Sequence, residues 1–229
     1  TYTSNIYIDD ILDSGHTKEK YNNKPFFTLF TKKRKSQWYL FPWEEIKNEN
    51  GPIENIKRLI QYIGDDPNRE GLRNTPSRVI NSYTTLFSGY HKDPKDVITT
   101  FEKGSYSQII LLKDIEFYST CEHHMLPFFG KAHIAYIPDK KVIGVSKLAR
   151  ILEIFTRRLQ IQERICQQVT EALTKYLKPK GSACILEAQH FCMTSRGVQK
   201  QDSIMVTSSL TGCFLKEQNT RNELMNLIK

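Results

Sequence analysis

Apolar residues recur at helical spacing in two stretches that begin near residue 52. In the first stretch the i, i+3, i+4 and i+7 positions are Ile56, Leu59, Ile60 and Ile63. This pattern predicts an amphipathic helix that closes before Gly64. A second helix is predicted from Thr75, a suitable N-cap followed by proline, to Gly89. Two helices therefore open this part of the chain.

Two β-strands are predicted after these helices. The apolar runs Ile109–Leu112 and Ile115–Tyr118 predict one β-strand with a turn or bulge near Lys113 and Asp114. A second strand is predicted over Lys131–Ile137. Because they are close in sequence, the two strands are expected to pair with each other.

Helical spacing returns after residue 145. Two apolar stripes are separated by an interruption around Gln160, which predicts two helices or one broken helix, with Ser146 as the first N-cap. Two more strands are predicted over Ala183–Met193 and Ser203–Phe214. A polar helix over Thr220–Lys229 then closes the chain.

This order of elements predicts an α+β fold, in which helices pack on one face of a mainly antiparallel sheet. With 229 residues, the chain is long enough for one domain and an appendage. Residues 1–50 show neither helical nor strand periodicity over more than a short stretch, and they are predicted to be a partly disordered N-terminal extension. Residues 51–229 are predicted to form the main domain, with a helical part at 51–92.

The formal net charge of +8 belongs mainly to that main domain. Residues 1–50 contain 8 Lys and Arg against 7 Asp and Glu, which leaves +7 for residues 51–229. A basic surface suits an anionic partner, either nucleic acid or a small polyphosphate. The five cysteines suggest no disulfide framework and favour a reduced, intracellular setting. No apolar run reaches the roughly 18 residues that span a bilayer, and a leader before Thr1 is left open.

The segment Cys-Glu-His-His at residues 121–124 is the clearest chemical signal. Cys121 and His124 are three residues apart, so in one helical turn both point to the same side. If Cys192 lies in a strand, it shares a face with His190 and can supply a third ligand. Zinc favours thiolate and imidazole, and catalytic zinc takes three protein ligands and leaves one position open. His123 and His190 remain free to move protons.

Two other interpretations of these residues are a buried core without a metal and a structural zinc site. The cysteines could be buried apolar residues and the histidines satisfied core groups. A structural zinc would need a fourth ligand, but the remaining cysteines, Cys166, Cys184 and Cys213, each lie in an apolar pattern and are interpreted as core residues. The His-x-Glu and Pro-Cys-x-x-Cys elements of zinc deaminases are absent.

Several charged residues around the predicted helix break could bind an anion or a base. The cations Lys147, Arg150, Arg157, Arg158 and Arg164 form either a phosphate-binding cluster or a solvated helix surface. Arg157, Arg158 and Arg164 are interpreted as solvated. Glu163 is either a recognition carboxylate or a helix ion-pair partner. Arg196 follows Cys192 closely, and its guanidinium suits a polyphosphate.

Together these residues resemble GTP cyclohydrolase I. The similar segments lie in one order between residues 52 and 229: Glu70–Leu72, Thr75–Arg78, Ser119–His124, Gly144–Arg150, Gln160–Arg164, His190–Cys192 and Arg196–Val198. The resemblance implies hydrolytic opening of the guanine imidazole ring of GTP, loss of C8 as formate, and closure to 7,8-dihydroneopterin triphosphate. This is the first step of pterin biosynthesis, which leads to tetrahydrofolate or tetrahydrobiopterin.

The resemblance also implies roles for individual residues. Cys121, His124 and Cys192 would hold Zn²⁺, which lowers the pKa of bound water to about 7. His190 would protonate the purine ring, while His123 and Ser146 would move protons as the ribose opens. The substrate contacts would come from Glu163 and Gln162 at the base, and from Lys147, Arg150, Arg196 and Arg78 at the triphosphate.

In that family the fold is the tunnelling fold, in which sheets of neighbouring subunits join into a barrel and two pentameric rings form a decamer. The resemblance assigns residues 93–229 to this fold. Sites form between subunits, so Arg78 could act in a neighbour's site. We expect a cytoplasmic homo-oligomer that binds GTP, with neither membrane nor nucleic acid as a partner. Whether a regulatory protein binds is left open.

There are two alternative functions for this chain. A nitrile reductase of the same fold would use a cysteine nucleophile and NADPH, and it has no zinc triad. A basic nucleic-acid-binding module would contain a closed zinc site with four ligands and would bind nucleic acid in a salt-sensitive way.

Overall fold

The computed structural model describes residues 7–12, 26–31, 51–102 and 106–229. The chain divides into two compact units, Thr1–Glu54 and Asn55–Lys229. In the first unit, strands β1 (Tyr7–Leu12) and β2 (Phe26–Thr31) pair in parallel, although the sequence pattern predicted neither strand. The predicted partial disorder of residues 1–50 concerns segments outside the described residues.

The two predicted helices before the sheet are confirmed. They are α1 (Pro52–Tyr62) and α2 (Thr75–Leu86), with Pro76 at the start of α2. A 3₁₀ turn over Ser88–His91 and the short α3 (Pro94–Val97) follow. Strands β3 (Thr100–Glu102) and β6 (Lys141–Ile143) form a small antiparallel sheet.

The main sheet has five strands in the order β7-β4-β5-β8-β9. Their bounds are β4 (Ile110–Cys121), β5 (Pro127–Ile137), β7 (Leu159–Gln160), β8 (Gly181–His190) and β9 (Met205–Leu210). Only the pairing of β7 with β4 is parallel. The predicted pairing of the strands on either side of the Cys-Glu-His-His segment is confirmed, and the sheet is mainly antiparallel as expected.

The predicted bulge in β4 is also confirmed. The register against β5 shifts between Leu112 and Ile115, and Asp114 takes a left-handed φ of 58°. The N–H of Asp114 donates to Nδ1 of the buried His133 at 3.2 Å. His133, to which the sequence assigned no role, therefore satisfies a backbone donor that the bulge removes from the ladder.

Helices α4 (Val145–Thr156) and α5 (Gln162–Tyr176) cover one face of this sheet. Along β5, the alternating residues Ala132, Ile134 and Tyr136 point into their shared core. Ala135 points to the opposite face, into a second cluster formed with α7 (Cys213–Lys216) and α8 (Gln218–Ile228). The prediction that helices cover one face therefore describes α4 and α5 but not the C-terminal helices.

Three local expectations are wrong in detail. The N-cap of α4 is Gly144 rather than Ser146, which lies inside the first turn. The N-cap of α2 is Asn74 rather than Thr75, which is the first helical residue. The predicted interruption around Gln160, by contrast, is confirmed, because α4 and α5 are two helices with the short strand β7 between them. Strand β8 ends at His190, and Cys192 lies in the helical turn α6 (Phe191–Thr194), because strand pairing stops there although the sequence remains apolar.

Gly89 lies where the 3₁₀ turn meets the end of α4. A Cβ atom at this position would lie 2.1 Å from the carbonyl oxygen of Ile154. Nε of Arg158 donates to the carbonyl oxygens of Gly89, at 3.1 Å, and of Ile154, at 3.0 Å. The interpretation of Arg158 as a solvated cation is therefore wrong, and burial lowers the pKa of its guanidinium. None of the helices in the described ranges is long and apolar enough to cross a membrane.

Candidate metal centre

The Cys-Glu-His-His segment is the hairpin turn between β4 and β5. The N–H of Met125 donates to the carbonyl of Cys121 at 2.8 Å, which closes one helix-like turn. The N–H of Cys121 donates to the carbonyl of Leu126, also at 2.8 Å. The expectation that Cys121 and His124 share one turn is confirmed, and Cys121 is anchored as the last residue of a core strand.

Sheet register brings the third cysteine to this turn. Thr120 pairs with Pro127 across β4 and β5, and Phe128 pairs with His190 across β5 and β8. The end of β8 therefore lies beside the start of β5, and α6 starts next to the metal turn. Cys192 reaches the site from that helical turn rather than from a strand.

The ligand atoms of Cys121, His124 and Cys192 all lie within 4.8 Å of one another. The Cys121 Sγ atom is 3.6 Å from Nδ1 of His124. Two sulfur atoms and one imidazole nitrogen form the soft donor set that zinc prefers. In the part of the chain that the structure describes, no fourth Cys, His, Asp or Glu joins this group. The arrangement fits a metal ion with one position left open.

The Cys192 thiol of this group responds to both burial and charge. Burial raises the pKa of the Cys192 thiol, and the neighbouring Cys121 raises it further, whereas Arg196 lowers it. A bound cation would stabilise the thiolates, as metal ions do for coordinating thiols. The site is therefore better suited to holding a metal than to holding two free thiolates.

A carboxylate inside the motif connects the metal turn to helix α5. Arg164 forms a bidentate ion pair with Glu122, and its Nη2 atom is 3.1 Å from Oε1. The interpretation of Arg164 as a solvated cation is therefore wrong. Arg164 holds the pKa of the Glu122 carboxyl below its ordinary value. Nε2 of His123 lies 3.8 Å from the same carboxylate, and the His123 side chain is 65% exposed.

His190 is held more firmly than His123. Its ring stacks on the buried Phe128, with ring centroids 4.5 Å apart and planes 5° from parallel. Its Nε2 atom lies 2.8 Å from Oε1 of Gln162. Burial lowers the pKa of His190, and the nearby Glu163 opposes that shift. His190 is therefore an ordered imidazole whose neutral form is favoured.

Of the remaining predicted site residues, Arg196 contacts the candidate metal centre directly. An Nη atom of Arg196 lies 3.1 Å from Nε2 of His124. Glu163 is exposed at the start of α5. Within the described residues, no hydrogen bond or ion pair joins the metal ligands to the other four, which are Arg78, Ser146, Lys147 and Arg150. Arg150 instead lines a cavity of about 190 Å³ between β4 and α4.

Gln162 is the predicted substrate residue with the least exposure, 1%. Its Nε2 atom donates to the carbonyl oxygens of Leu186, at 2.9 Å, and Met205, at 3.0 Å. Its assignment to the base pocket stays a prediction. Single-sequence patterns did not identify Phe128 or the Glu122–Arg164 pair, because these contacts join distant parts of the chain.

Comparison with known proteins identifies similar chains. The family model described as GTP cyclohydrolase I matches residues 53–229. A protein named GTP cyclohydrolase 1 from Wolinella succinogenes is 52% identical over 177 residues, which cover 77% of this chain and 95% of that protein. The chain is 50% identical to the protein of that name from Chlorobium chlorochromatii, over 76% of this chain and 78% of that protein.

A third protein of that name, from Campylobacter lari, is 49% identical over 176 residues, which cover 76% of this chain and 93% of that protein. Among solved structures, the apo archaeosine synthase QueF-Like matches 46% of this chain and 94% of that chain, with 12% identity and a TM-score of 0.38. That similarity is too low to support an argument about the fold.

Proposed function

The chain belongs to the GTP cyclohydrolase I family and has the activity of that family on GTP, and we propose that it hydrolyses GTP at guanine C8 with zinc. The products would be formate and 7,8-dihydroneopterin triphosphate. The observation that supports zinc chemistry is the three-ligand group with two histidines beside it. A zinc ion held by Cys121, His124 and Cys192 would supply Lewis-acid activation of water.

His190 is the proposed proton donor to the purine ring. It lies directly before the helical turn that carries Cys192, and its ring is fixed by Phe128 and Gln162. Because burial lowers the pKa of His190, its protonated form is a stronger acid than a solvated imidazolium. A positioned acid of this kind contributes roughly 10²–10⁴-fold to a rate.

His123 and Ser146 are proposed to move protons in the later opening and rearrangement of the ribose. His123 is exposed at the metal turn, and its Nε2 atom lies 3.8 Å from the Glu122 carboxylate. Ser146 is exposed in the first turn of α4. Both side chains are open to a substrate, which supports this assignment.

Recognition of the base is proposed for Glu163, whose carboxylate would accept hydrogen bonds from the guanine N1–H and 2-amino groups. This side chain is exposed one residue after the buried Gln162. Lys147, Arg150, Arg196 and Arg78 are proposed to bind the triphosphate, for which guanidinium groups provide bidentate contacts.

We also propose that the protein is a cytoplasmic homodecamer whose sheets join across subunits into a barrel. The edge position of β9 supports this, because Val206 on that strand is 59% exposed and, among the described residues, only β8 pairs with β9. The proposed product would enter folate or tetrahydrobiopterin synthesis.

Incubation of the zinc-loaded protein with GTP tests the proposal. Formate should be released, and a fluorescent pterin should form after oxidation of the product. Chelation should remove the activity, and added Zn²⁺ should restore it. A protein that contains no zinc and releases no formate would refute the proposed chemistry.

His123→Ala separates the early steps from the late steps. We expect zinc content close to that of the wild type, because His123 is not in the ligand group. Pterin output should fall by about 10²-fold or more, the loss typical of a removed acid–base group. A pyrimidine intermediate should accumulate and can be followed by mass spectrometry. Unchanged pterin output would contradict the role of His123.

A further inference from the structure

We propose that Gln162 is a positioning residue that fixes His190 as the Nε2–H tautomer and leaves Nδ1 as the atom that exchanges protons with the substrate. This inference rests on the proposed function of His190. It gives Gln162 a different role from the purine contact suggested by family resemblance.

The orientation of the Gln162 amide follows from its two backbone partners. Its Nε2 atom lies 2.9 Å from the carbonyl oxygen of Leu186 and 3.0 Å from that of Met205. Carbonyl oxygens only accept hydrogen bonds, so both must face the two N–H bonds of the amide. A flipped amide would direct its oxygen at both carbonyls, which is unfavourable in a buried site.

The fixed amide in turn selects the tautomer of His190. With its nitrogen committed, Gln162 presents Oε1 to His190 Nε2 at 2.8 Å. An amide oxygen only accepts, so Nε2 of His190 must carry the proton. In a neutral imidazole the other nitrogen then carries a lone pair. Nδ1 is therefore the nitrogen with the free lone pair, and we assign the proposed proton exchange to it.

The imidazole ring is also prevented from turning. It stacks on Phe128, which is 0% exposed, with the planes 5° from parallel. A half-turn about the bond to the ring would keep the stacking but break the hydrogen bond to Gln162, whereas a smaller rotation would disturb the stacking. The stacking fixes the plane of the ring, and the hydrogen bond fixes which edge faces Gln162.

The same contacts argue against Gln162 as a purine ligand. Its side chain is 1% exposed, and both amide N–H bonds already have acceptors. A guanine carbonyl would need one of those donors. The adjacent Glu163 is exposed, so a base reaching this end of α5 would meet Glu163 first.

Gln162→Met in the zinc-loaded, full-length enzyme tests the proposal. The methionine keeps the side-chain length and removes the acceptor for His190. The matched control is Gln160→Met, since Gln160 is also 1% exposed and its Nε2 atom donates to the Phe155 carbonyl, at 3.0 Å, and to Gln168, at 2.7 Å. Both variants lose a buried amide, but only Gln162 touches His190.

The kinetic expectation is that kcat falls in Gln162→Met while KM for GTP stays nearly unchanged. Gln162→Met should retain zinc, lower kcat by about 10-fold to 100-fold, and leave KM for GTP within about 3-fold, because a proton-transfer group is misplaced rather than a substrate contact removed. Gln160→Met should keep kcat within about 3-fold of the wild type. A raised KM at unchanged kcat in Gln162→Met, or an equal kcat loss in Gln160→Met, would overturn the proposal.

A spectroscopic measurement tests the tautomer without relying on turnover. Solid-state ¹⁵N NMR of the histidine-labelled, zinc-loaded wild type should show His190 protonated at Nε2 and unprotonated at Nδ1. His190→Asn identifies its signals, and Gln162→Met should mix the two tautomers. A wild-type Nδ1–H form would overturn the inference. If the protein does not convert GTP, the proposed function fails, while this measurement still decides the tautomer.

Discussion

At the scale of single residues, the three proposed metal ligands lie in three kinds of backbone. Cys121 ends a core strand, His124 lies in the hairpin turn, and Cys192 lies in a helical turn. The two hydrogen bonds that close the hairpin fix the first pair of ligands. Cys192 depends on the end of β8 for its position, so the group is complete only when strands and turn are folded together.

Cys192→Ser should therefore weaken the metal site without removing the turn. A serine hydroxyl is a poor replacement for a thiolate on zinc, and we expect zinc affinity to fall by at least about 100-fold. Elemental analysis after dialysis, together with formate release, measures the loss. Cys213→Ser is the control, because Cys213 lies in α7 outside the ligand group. Full zinc content in Cys192→Ser would show that the ligand assignment is wrong.

Cys121 and His124 could be predicted from the sequence as candidate ligands because their residue types are rare and they lie three positions apart. Cys192 lies far along the chain, and only the fold shows how it reaches them. Their supporting contacts could not be predicted in this way. Arg164 and Glu122 are 42 positions apart, and His190 and Gln162 are 28 positions apart. A solvated arginine and a paired arginine have the same local pattern, so only the fold distinguishes them.

At the scale of elements, the polar pair Lys113 and Asp114 between two apolar runs was sufficient to predict a turn or bulge in β4, and the structure has a register shift there. The end of β8 was not predictable in the same way. Phe191, Cys192 and Met193 remain compatible with a strand, and hydrogen-bond pairing with β5 sets where the strand stops. A residue pattern shows where an element is possible, whereas its partner decides its length.

The close packing of the 3₁₀ turn on α4 gives a prediction for Gly89. In Gly89→Ala, the new methyl group would lie 2.1 Å from the Ile154 carbonyl oxygen, so backbone must move. We expect a loss of about 1–3 kcal/mol in the free energy of unfolding, the usual cost of overpacking. Urea denaturation measures this change.

Gly71→Ala is the matched control for that measurement. Its new Cβ would approach only the end of the Arg69 side chain, at 2.9 Å, and that side chain can move. Stability within about 0.5 kcal/mol of the wild type is expected, as for most surface changes. Equal losses in the two variants would contradict the packing explanation.

At the scale of the whole molecule, the predicted α+β class agrees with the observed sheet and helices. The second cluster around Phe214 and Leu224 was not predicted. The C-terminal tail is polar overall, and its few apolar positions become significant only when they meet Ala135 and Ile185 on the second face of the sheet. Long-range docking of this kind leaves little trace in local periodicity.

Proposed sites between subunits can be tested by mixing two inactive variants. Arg78→Ala and Cys192→Ser remove groups that we propose to act from different subunits in one site. If the two chains assemble at random, about a quarter of the sites should contain both native residues. Co-expression should then restore formate release to about that fraction of the wild-type rate. Absence of any recovery in confirmed mixed oligomers would place Arg78 and Cys192 in the same subunit's site.

The amide of Gln162 has a consequence beyond the histidine it faces. Met205 opens the edge strand β9, and Leu186 lies in the neighbouring β8, so one side chain bridges the two strands. Fraying of β9 would remove one of the two acceptors that orient the Gln162 amide. The hydrogen bond from that amide would then no longer fix the orientation of the His190 ring. In the proposed mechanism, the order of the edge strand β9 would therefore limit how precisely His190 is oriented beside the candidate metal centre.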